Sequence, residues 1–188
     1  MFGFHNIGKS GDEQLMALVA KGNEKAFAQL YDRYFDKLVW YAYGLVGRME
    51  QAEDIVQDVF LKIIQKPERF NRQKKFSTWI YTVVGNACKN QLRNEETHSR
   101  LLQLYTEGDT EVAMLTAAKS DLRILQQEIK KLLETLSDKE QKVYLLRFEQ
   151  ELSIKEVADI TGIPEGSVKS CIYYLLKKLG SHLKDFRK

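Results

Sequence analysis

The chain has 188 residues, a net charge of +3 and 29% charged residues, an ordinary globular balance that by itself indicates no special partner. Cys88 and Cys171 stand alone, and the three histidines have no partner cluster, so we expect no disulfide framework, no metal site and no cofactor. The sequence lacks a signal-peptide pattern, a membrane-length apolar run, a phosphate-binding glycine loop and a nucleophile motif, which predicts a cytoplasmic, non-enzymatic protein that is not membrane-inserted.

Helical periodicity runs through most of the chain, and two prolines in all leave it largely uninterrupted, so the sequence predicts an all-α fold. Residues 1–93 are assigned to an N-terminal helical domain. Residues 94–118 carry an excess of acids with a glycine and several threonines, which predicts a flexible linker. Residues 119–188 form the second domain. The expected architecture is therefore two small helical domains joined by a linker.

An acidic helix is predicted at residues 50–60, which hold four acids and no base. Isoleucine, valine and phenylalanine recur at helical spacing and form one apolar stripe. The opposite face carries Asp54, Gln57, Asp58 and Leu61. A solvated helix face and a docking face for a basic partner both fit this pattern, and a leucine among acids favours docking.

A basic, aromatic segment follows at residues 66–93, with seven cations against one acid. Cations attract phosphates, and aromatic rings can stack on unpaired bases, so the composition favours nucleic-acid binding. Residues 67–75 are expected to form a loop before a helix capped by Ser77. Phe76 and Trp79 are expected in the core, whereas Phe70 and the helix face from Asn86 to Arg93 are expected to contact nucleic acid.

The C-terminal segment has the pattern of a DNA-binding helix-turn-helix. Ser153 and Glu156 have capping-box spacing, Gly162 suits a left-handed turn, and Pro164 suits the start of the next helix. An apolar stripe on that second helix leaves a polar face of six residues, which are Ser167, Lys169, Ser170, Tyr173, Tyr174 and Lys177. A capped helical hairpin is also common in proteins that do not bind DNA.

Three motifs in this order resemble an extracytoplasmic-function (ECF) sigma factor of bacterial RNA polymerase. They are AEDIVQDVF at residues 52–60, FSTWI at 76–80 and GIPEGSVKS at 162–170. The resemblance extends over residues 12–183. It implies a subunit that binds core polymerase, recognises and melts promoter DNA, and is often held inactive by an anti-sigma factor, with no small-molecule substrate.

The resemblance also implies a role for each predicted surface. Asp54, Gln57, Asp58 and Leu61 would dock on the clamp helices of the largest polymerase subunit. The minus-ten element would be bound by Phe70, Asn71, Lys75, Asn86, Lys89, Asn90 and Arg93. The second domain would bind the β-subunit flap, and its six-residue polar face would read the minus-thirty-five element.

Two residues depart from the family pattern. Cys171 and Tyr174 stand where basic residues are common, so phosphate contacts from those positions are in doubt. The alternative function is a stand-alone helix-turn-helix transcriptional regulator. It would leave both the acidic helix and the basic, aromatic segment without a role.

Overall fold

The computed structural model describes residues 10–103 and 135–185, with side-chain detail for 10–95 and 135–181. All regular structure within these ranges is helical, which confirms the all-α class. The helices are α1 (Asp12–Val19), α2 (Glu24–Val46), α3 (Met49–Gln65), α4 (Phe76–Gln103), α5 (Asp138–Tyr144), α6 (Ile154–Thr161) and α7 (Glu165–Asp185), with a 3₁₀ turn at Pro67–Arg69 and a π-helical turn at Leu145–Glu149. Among the helices described, none is both long and apolar enough to cross a membrane.

In the N-terminal part, α2 packs against α1, α3 and α4 around one apolar core. The Asn23 side chain accepts a hydrogen bond from the backbone N–H of Ala26 and starts α2. Gly47, at a φ of 76°, ends α2 in the left-handed conformation that glycine adopts without a steric penalty. Two short helical connections therefore follow directly from local sequence signals.

The beginning and the end of α4 differ from the sequence prediction. The helix begins at Phe76, one residue before the predicted cap Ser77, and the Phe76 backbone N–H donates to the Glu13 carboxylate at 2.9 Å. This carboxylate comes from α1, so the cap is a long-range contact. The helix then continues to Gln103, ten residues into the predicted linker. Residues 104–118 of that linker lie outside the described residues.

The C-terminal helices have the predicted helix-turn-helix order. Capping boxes start α5 at Ser137 and α6 at Ser153, each with both reciprocal hydrogen bonds. Gly162 ends α6 with a φ of 70°, and the Pro164 carbonyl accepts the first hydrogen bonds of α7. Val157, Val168 and Leu175 are buried between the helices.

The two sets of helices pack against each other along a contact that we call the seam. Leu145 of the π-helical turn is 6% exposed and lies on Gly44 of α2, and the Gln141 amide donates to the Gly44 carbonyl at 2.8 Å. On the neighbouring helix α4, the Tyr81 hydroxyl donates to the Gln150 side chain at 2.8 Å. One apolar core therefore continues from the N-terminal into the C-terminal helices.

Candidate polymerase and nucleic-acid interfaces

The acidic face of α3 lies on the surface, as its periodicity predicted. Asp54, Gln57 and Asp58 are exposed, and Leu61 is 53% exposed. The core side of the same helix buries six residues, namely Ala52, Ile55, Val56, Val59, Phe60 and Ile63. An exposed leucine among acids has the composition of an interface anchor with a charged rim.

Helix α4 presents a continuous polar face. Asn86, Lys89, Asn90 and Arg93 are exposed and follow one another at helical spacing. Ile80, Val84 and Cys88 on the inner side are buried. The face therefore combines two amides, which can hydrogen bond to base edges, with two cations, which can contact phosphates.

Phe70 lies inside an aromatic cluster rather than on the surface. It is 5% exposed, and its ring centroid is 5.6 Å from that of Phe76 and 5.2 Å from that of Trp79. Its ring offers no free face to a base in this arrangement, so a role in DNA binding requires the ring to leave the cluster. The predicted core positions of Phe76 and Trp79 agree with the structure, since Phe76 is fully buried and Trp79 packs against the core.

Phe76, the first residue of α4 and a packing partner of Phe70, is held by contacts from α1 and α2. Tyr34 packs its ring edge-on against Phe76, and its hydroxyl donates to Asp12 at 2.5 Å. Asp12 also accepts from Arg33 at 2.6 Å. Burial, and then the hydrogen bond to Asp12, raises the pKa of Tyr34, so this phenol stays protonated. Asn71 and Lys75, the other predicted loop residues, remain exposed.

Helix α7, the second helix of the helix-turn-helix, exposes all six predicted residues of its polar face. Tyr173 and Tyr174 are 63% and 59% exposed, with ring centroids 5.5 Å apart. The Ser170 hydroxyl donates to the Gly166 carbonyl, so its proton is engaged within the helix. Lys169 and Lys177 are thus left as the cations of a largely aromatic and hydroxylic face.

Cys171 does not belong to that exposed face. It is half-buried against α5, where the Lys178 ammonium pairs with the Glu140 carboxylate at 3.0 Å. Burial, followed by the charge of Glu140, raises the pKa of the Cys171 thiol. An inward helix position explains why a small apolar residue is tolerated here.

The seam brings the two predicted DNA-binding regions into contact. Lys75, in the loop before α4, pairs at 3.4 Å with Glu156, the carboxylate of the α6 capping box. The hydrogen bond from Ser153, and then Lys75, lowers the pKa of Glu156. Sequence reasoning missed this contact and the seam residues Gly44, Leu145 and Gln150. The one local signal was a glycine near the end of the long amphipathic helix α2.

Two family matches cover most of these elements. Residues 30–97 match Sigma-70 region 2, which includes the acidic face of α3 and the polar face of α4. Residues 126–179 match Sigma-70 region 4, which includes the helix-turn-helix.

Whole-chain relatives have the same family name. The ECF RNA polymerase sigma factor SigW of Bacillus subtilis is 31% identical over 179 residues, covering 89% of this chain and 94% of the relative. The ECF sigma-E factor of Haemophilus influenzae is 30% identical, covering 86% of this chain and 89% of the relative. The ECF RNA polymerase sigma factor BldN of Streptomyces coelicolor is 28% identical, covering 94% of this chain and 68% of the relative.

Solved structures show the same fold. CnrH, in complex with the cytosolic domain of CnrY, matches with a TM-score of 0.70 at 21% identity, over 94% of this chain and 99% of that one. The sigma factor RpoE of Bartonella quintana, in complex with the anti-sigma factor NepR, matches with a TM-score of 0.66 at 24% identity, over 85% and 98%.

Proposed function

This chain belongs to the ECF family of RNA polymerase sigma factors, and on that premise we propose how its surfaces divide the work of transcription initiation. It is a promoter-directing sigma factor. The stand-alone regulator is not favoured, because the region 2 match covers the acidic helix and the basic, aromatic segment for which that alternative has no role.

The acidic face of α3 docks on core polymerase. Asp54, Gln57 and Asp58 lie on the same exposed face of α3 as Leu61, so a basic partner with an apolar contact fits this surface. The family resemblance assigns the partner to the clamp helices of the largest subunit. Complementary charge of this kind mainly speeds association and fixes the orientation of the partner.

The polar face of α4 captures the minus-ten element as it opens. Melting costs a few kcal/mol for each unstacked base, and contacts to the released bases must offset that cost. Asn86 and Asn90 supply amides, while Lys89 and Arg93 supply charge. Asn71 and Lys75 extend the surface into the loop, and Phe70 joins it if its ring leaves the aromatic cluster.

The exposed face of α7 reads the minus-thirty-five element in the major groove. Lys169 and Lys177 supply the cationic contacts, and Ser167, Ser170, Tyr173 and Tyr174 supply hydroxyls and apolar surface. The same domain contacts the β-subunit flap. Two weak DNA-binding units on one polymerase gain affinity by effective concentration.

The remaining assignments concern chemistry and partners. The sigma factor performs no covalent step, since the polymerase makes the RNA, and it acts in the cytoplasm. It takes no small molecule as substrate. An anti-sigma factor is a further partner, because a sigma factor of similar fold was solved with one bound.

The observation that carries this proposal is one folded unit with an acidic surface on α3 and a separate cationic, amide-bearing surface on α4. Run-off transcription with purified bacterial core polymerase tests it. The chain should direct promoter-specific transcripts, and neither component alone should do so. Tight duplex binding without polymerase, together with no specific transcript, would support the regulator instead.

A further inference from the structure

A pocket opens between α4 and α5 with a volume of about 310 Å³. We call it the α4–α5 pocket. Six of its lining residues matter here and are Leu45, Cys88, Lys89, Leu92, Arg93 and Lys142. This volume lies at the lower end of the range of ligand-binding pockets, so the pocket suits a small molecule.

Three cations line the α4–α5 pocket against one acid. Lys89 and Arg93 come from the polar face of α4, Lys142 comes from α5, and the acid is Asp138. Cations from two helices around one cavity create a positive potential, which low-dielectric walls concentrate. The pocket therefore favours an anionic occupant over a neutral or a cationic one.

Lys142 is the cation that lies closest to the packed part of the structure. It is half-buried, and no ion pair joins it to a carboxylate within residues 10–95 and 135–181. Burial raises the pKa of Cys88, and the charge of Lys142 acts in the opposite direction, as an ammonium near that thiol must. A partly desolvated cation is stabilised by an anion that hydrogen bonds to it, and a ligand in the pocket would supply one.

The same pocket has an apolar wall. Leu92 of α4 is 41% exposed, and Leu45 of α2 is half-buried against the core. The Gln141 amide, which also lines the pocket, donates to the Gly44 carbonyl at 2.8 Å and so fixes α5 against α2. An occupant with both an anionic group and an apolar part therefore fits these walls better than an inorganic ion does.

We propose that the α4–α5 pocket binds a small organic phosphate. Its phosphate oxygens accept hydrogen bonds from Lys89, Arg93 and Lys142, and its apolar part lies on Leu45 and Leu92. A guanidinium can donate two parallel hydrogen bonds to a phosphate, and hydrogen bonds between charged groups are roughly twice as strong as neutral ones. The existence of this site does not depend on the proposed function.

Occupation of the pocket has one consequence that does rest on the proposed function. Lys89 and Arg93 are assigned there to the minus-ten element, so a bound phosphate competes with promoter DNA for two cations. A ligand at one hundred times its Kd would leave only about 1% of the pockets unoccupied. A small organic phosphate should thereby reduce promoter opening by this chain.

The binding test uses the full chain and three probes in isothermal titration calorimetry. Phenyl phosphate carries the charge and an apolar ring, inorganic phosphate carries the charge alone, and benzyl alcohol carries the ring alone. We expect one phenyl phosphate per chain, bound at least tenfold more tightly than inorganic phosphate, and no binding of benzyl alcohol. Equal affinity for the two phosphates, or no binding of phenyl phosphate at millimolar concentration, would overturn the proposal.

Variants then locate the phosphate. Lys142→Gln should weaken binding of phenyl phosphate at least tenfold, and Lys142→Arg should restore most of the affinity. The matched control is Lys139→Gln, which changes an exposed lysine of the same helix outside the pocket and should alter affinity less than twofold. Equal losses in Lys142→Gln and Lys139→Gln would show that the phosphate responds to overall charge only, and the pocket assignment would be wrong.

The apolar wall has its own variant. Leu92→Ala shortens an exposed side chain that the core does not need. It should weaken binding of phenyl phosphate at least fivefold and leave the affinity for inorganic phosphate unchanged. An equal effect on the two probes would contradict the apolar half of the site.

Transcription distinguishes a small phosphate from the DNA backbone as the source of the bound group. Lys142 lies outside the proposed minus-ten surface, so Lys142→Gln should direct run-off transcription normally without ligand. Phenyl phosphate added to the free chain before core polymerase should reduce transcription by the parent chain and not by Lys142→Gln. A defect of Lys142→Gln without ligand would make the pocket a contact for DNA phosphate and overturn the proposal. Binding that depends on Lys142 but leaves transcription unchanged would support the pocket and count against the role of Lys89 and Arg93 in the proposed function.

Discussion

Gly44 of α2 lies directly beneath Leu145, and a β-carbon at position 44 would stand 2.5 Å from the Leu145 Cδ2 atom. Glycine inside a helix costs roughly 0.5–1 kcal/mol relative to alanine, so the residue has a local penalty. The missing side chain gives Leu145 room to reach 6% exposure, and the Gly44 carbonyl accepts the Gln141 amide. Gly44 therefore weakens helix α2 locally but allows the close contact between α2 and Leu145 across the seam.

Replacing Gly44 should separate the effect of glycine on helix propensity from its effect on packing against Leu145. Alanine normally stabilises a helix interior by about 1 kcal/mol over glycine. At position 44 the added methyl group must displace buried Leu145, and overpacking of that kind typically costs about 1–3 kcal/mol. We expect Gly44→Ala to give no gain, or a loss, in the free energy of unfolding measured by urea denaturation.

Gly180 of α7 is the matched control for that substitution. It is an exposed helical glycine around which a β-carbon would meet open space. Gly180→Ala should raise the free energy of unfolding by a few tenths to about 1 kcal/mol. An equal gain in the two variants would show that Leu145 moves aside freely and that the seam does not depend on Gly44.

The acidic face of α3 should matter for polymerase and not for folding. Asp58 is exposed on the side of α3 opposite the buried stripe. Asp58→Arg should change the free energy of unfolding by no more than about 0.5 kcal/mol, as most surface substitutions do. It should weaken core-polymerase affinity at least tenfold, because the new cation faces a basic partner. Normal affinity of this variant would contradict the docking assignment.

How far the sequence determined this structure depends on how local each signal is. The capping boxes at Ser137 and Ser153 and the turn at Gly162 follow from residues within four positions of one another. The cap that Glu13 supplies to Phe76 joins residues far apart in the chain. No periodicity reveals such a contact, so the helix predicted to follow a cap at Ser77 in fact begins two residues earlier, at Phe76.

For the candidate surfaces, too, local signals were predictable from the sequence and contacts between distant residues were not. Helical periodicity placed Asp58, Asn90 and Lys169 on exposed faces because period and burial are coupled on one helix. Phe70 belongs to a loop, and its burial depends on Phe76 and Trp79 of the following helix. The seam needs two sets of helices in contact. Loop side chains and surfaces shared between units are therefore where sequence reasoning stops.

Promoter opening should depend on Asn90 without a cost in stability. Asn90 is exposed on α4, so Asn90→Ala should leave the melting temperature nearly unchanged and slow open-complex formation. Permanganate reactivity of promoter thymines measures the opening, and a pre-melted promoter should rescue part of the defect. Unchanged thymine reactivity would contradict a role for this amide.

Phe70→Ala should behave differently from Asn90→Ala. Phe70 is 5% exposed between Phe76 and Trp79, and removing a buried phenylalanine typically costs about 3–5 kcal/mol. A promoter defect in Phe70→Ala therefore has to be compared with its loss of folding before the ring is assigned to DNA.

The two cysteines should react at very different rates. Burial raises the pKa of Cys88 to about 12, whereas Cys171 is half-buried. A disulfide reagent attacks the thiolate, so at pH 8 Cys171 should be labelled first and Cys88 only as the fold opens. Mass spectrometry after timed labelling distinguishes the sites, and equal rates would contradict the burial of Cys88.

The pKa of Cys88 also sets the sign of an alkaline effect. Its folded pKa lies above that of an unfolded thiol, near 8.5, so the folded state keeps the proton longer. The stabilisation is fully present below the unfolded pKa and is lost as the pH rises toward 12. Cys88→Ala should therefore lose less stability than the parent chain between about pH 8.5 and pH 10.

Arginine substitutions on α7 should affect DNA binding differently on its exposed side and on its side facing α5. Tyr174 is 59% exposed on the polar face, whereas Cys171 turns toward α5 and the Glu140–Lys178 pair. Each phosphate contact adds about 0.9 to the slope of log affinity against log salt. We expect Tyr174→Arg to strengthen binding of the full chain to random-sequence duplex DNA and to steepen that slope by roughly one unit.

Cys171→Arg should leave the slope unchanged. Its guanidinium would lie beside Glu140 and compete with Lys178 for that carboxylate, so no new charge reaches a phosphate. Its long side chain would also crowd the packing between α5 and α7, and we expect a melting temperature lower than that of Tyr174→Arg. A salt titration by fluorescence anisotropy and a thermal melt on both variants make the comparison. A slope that steepens equally in both would place Cys171 on the DNA face, contrary to the half-buried position that α7 gives it.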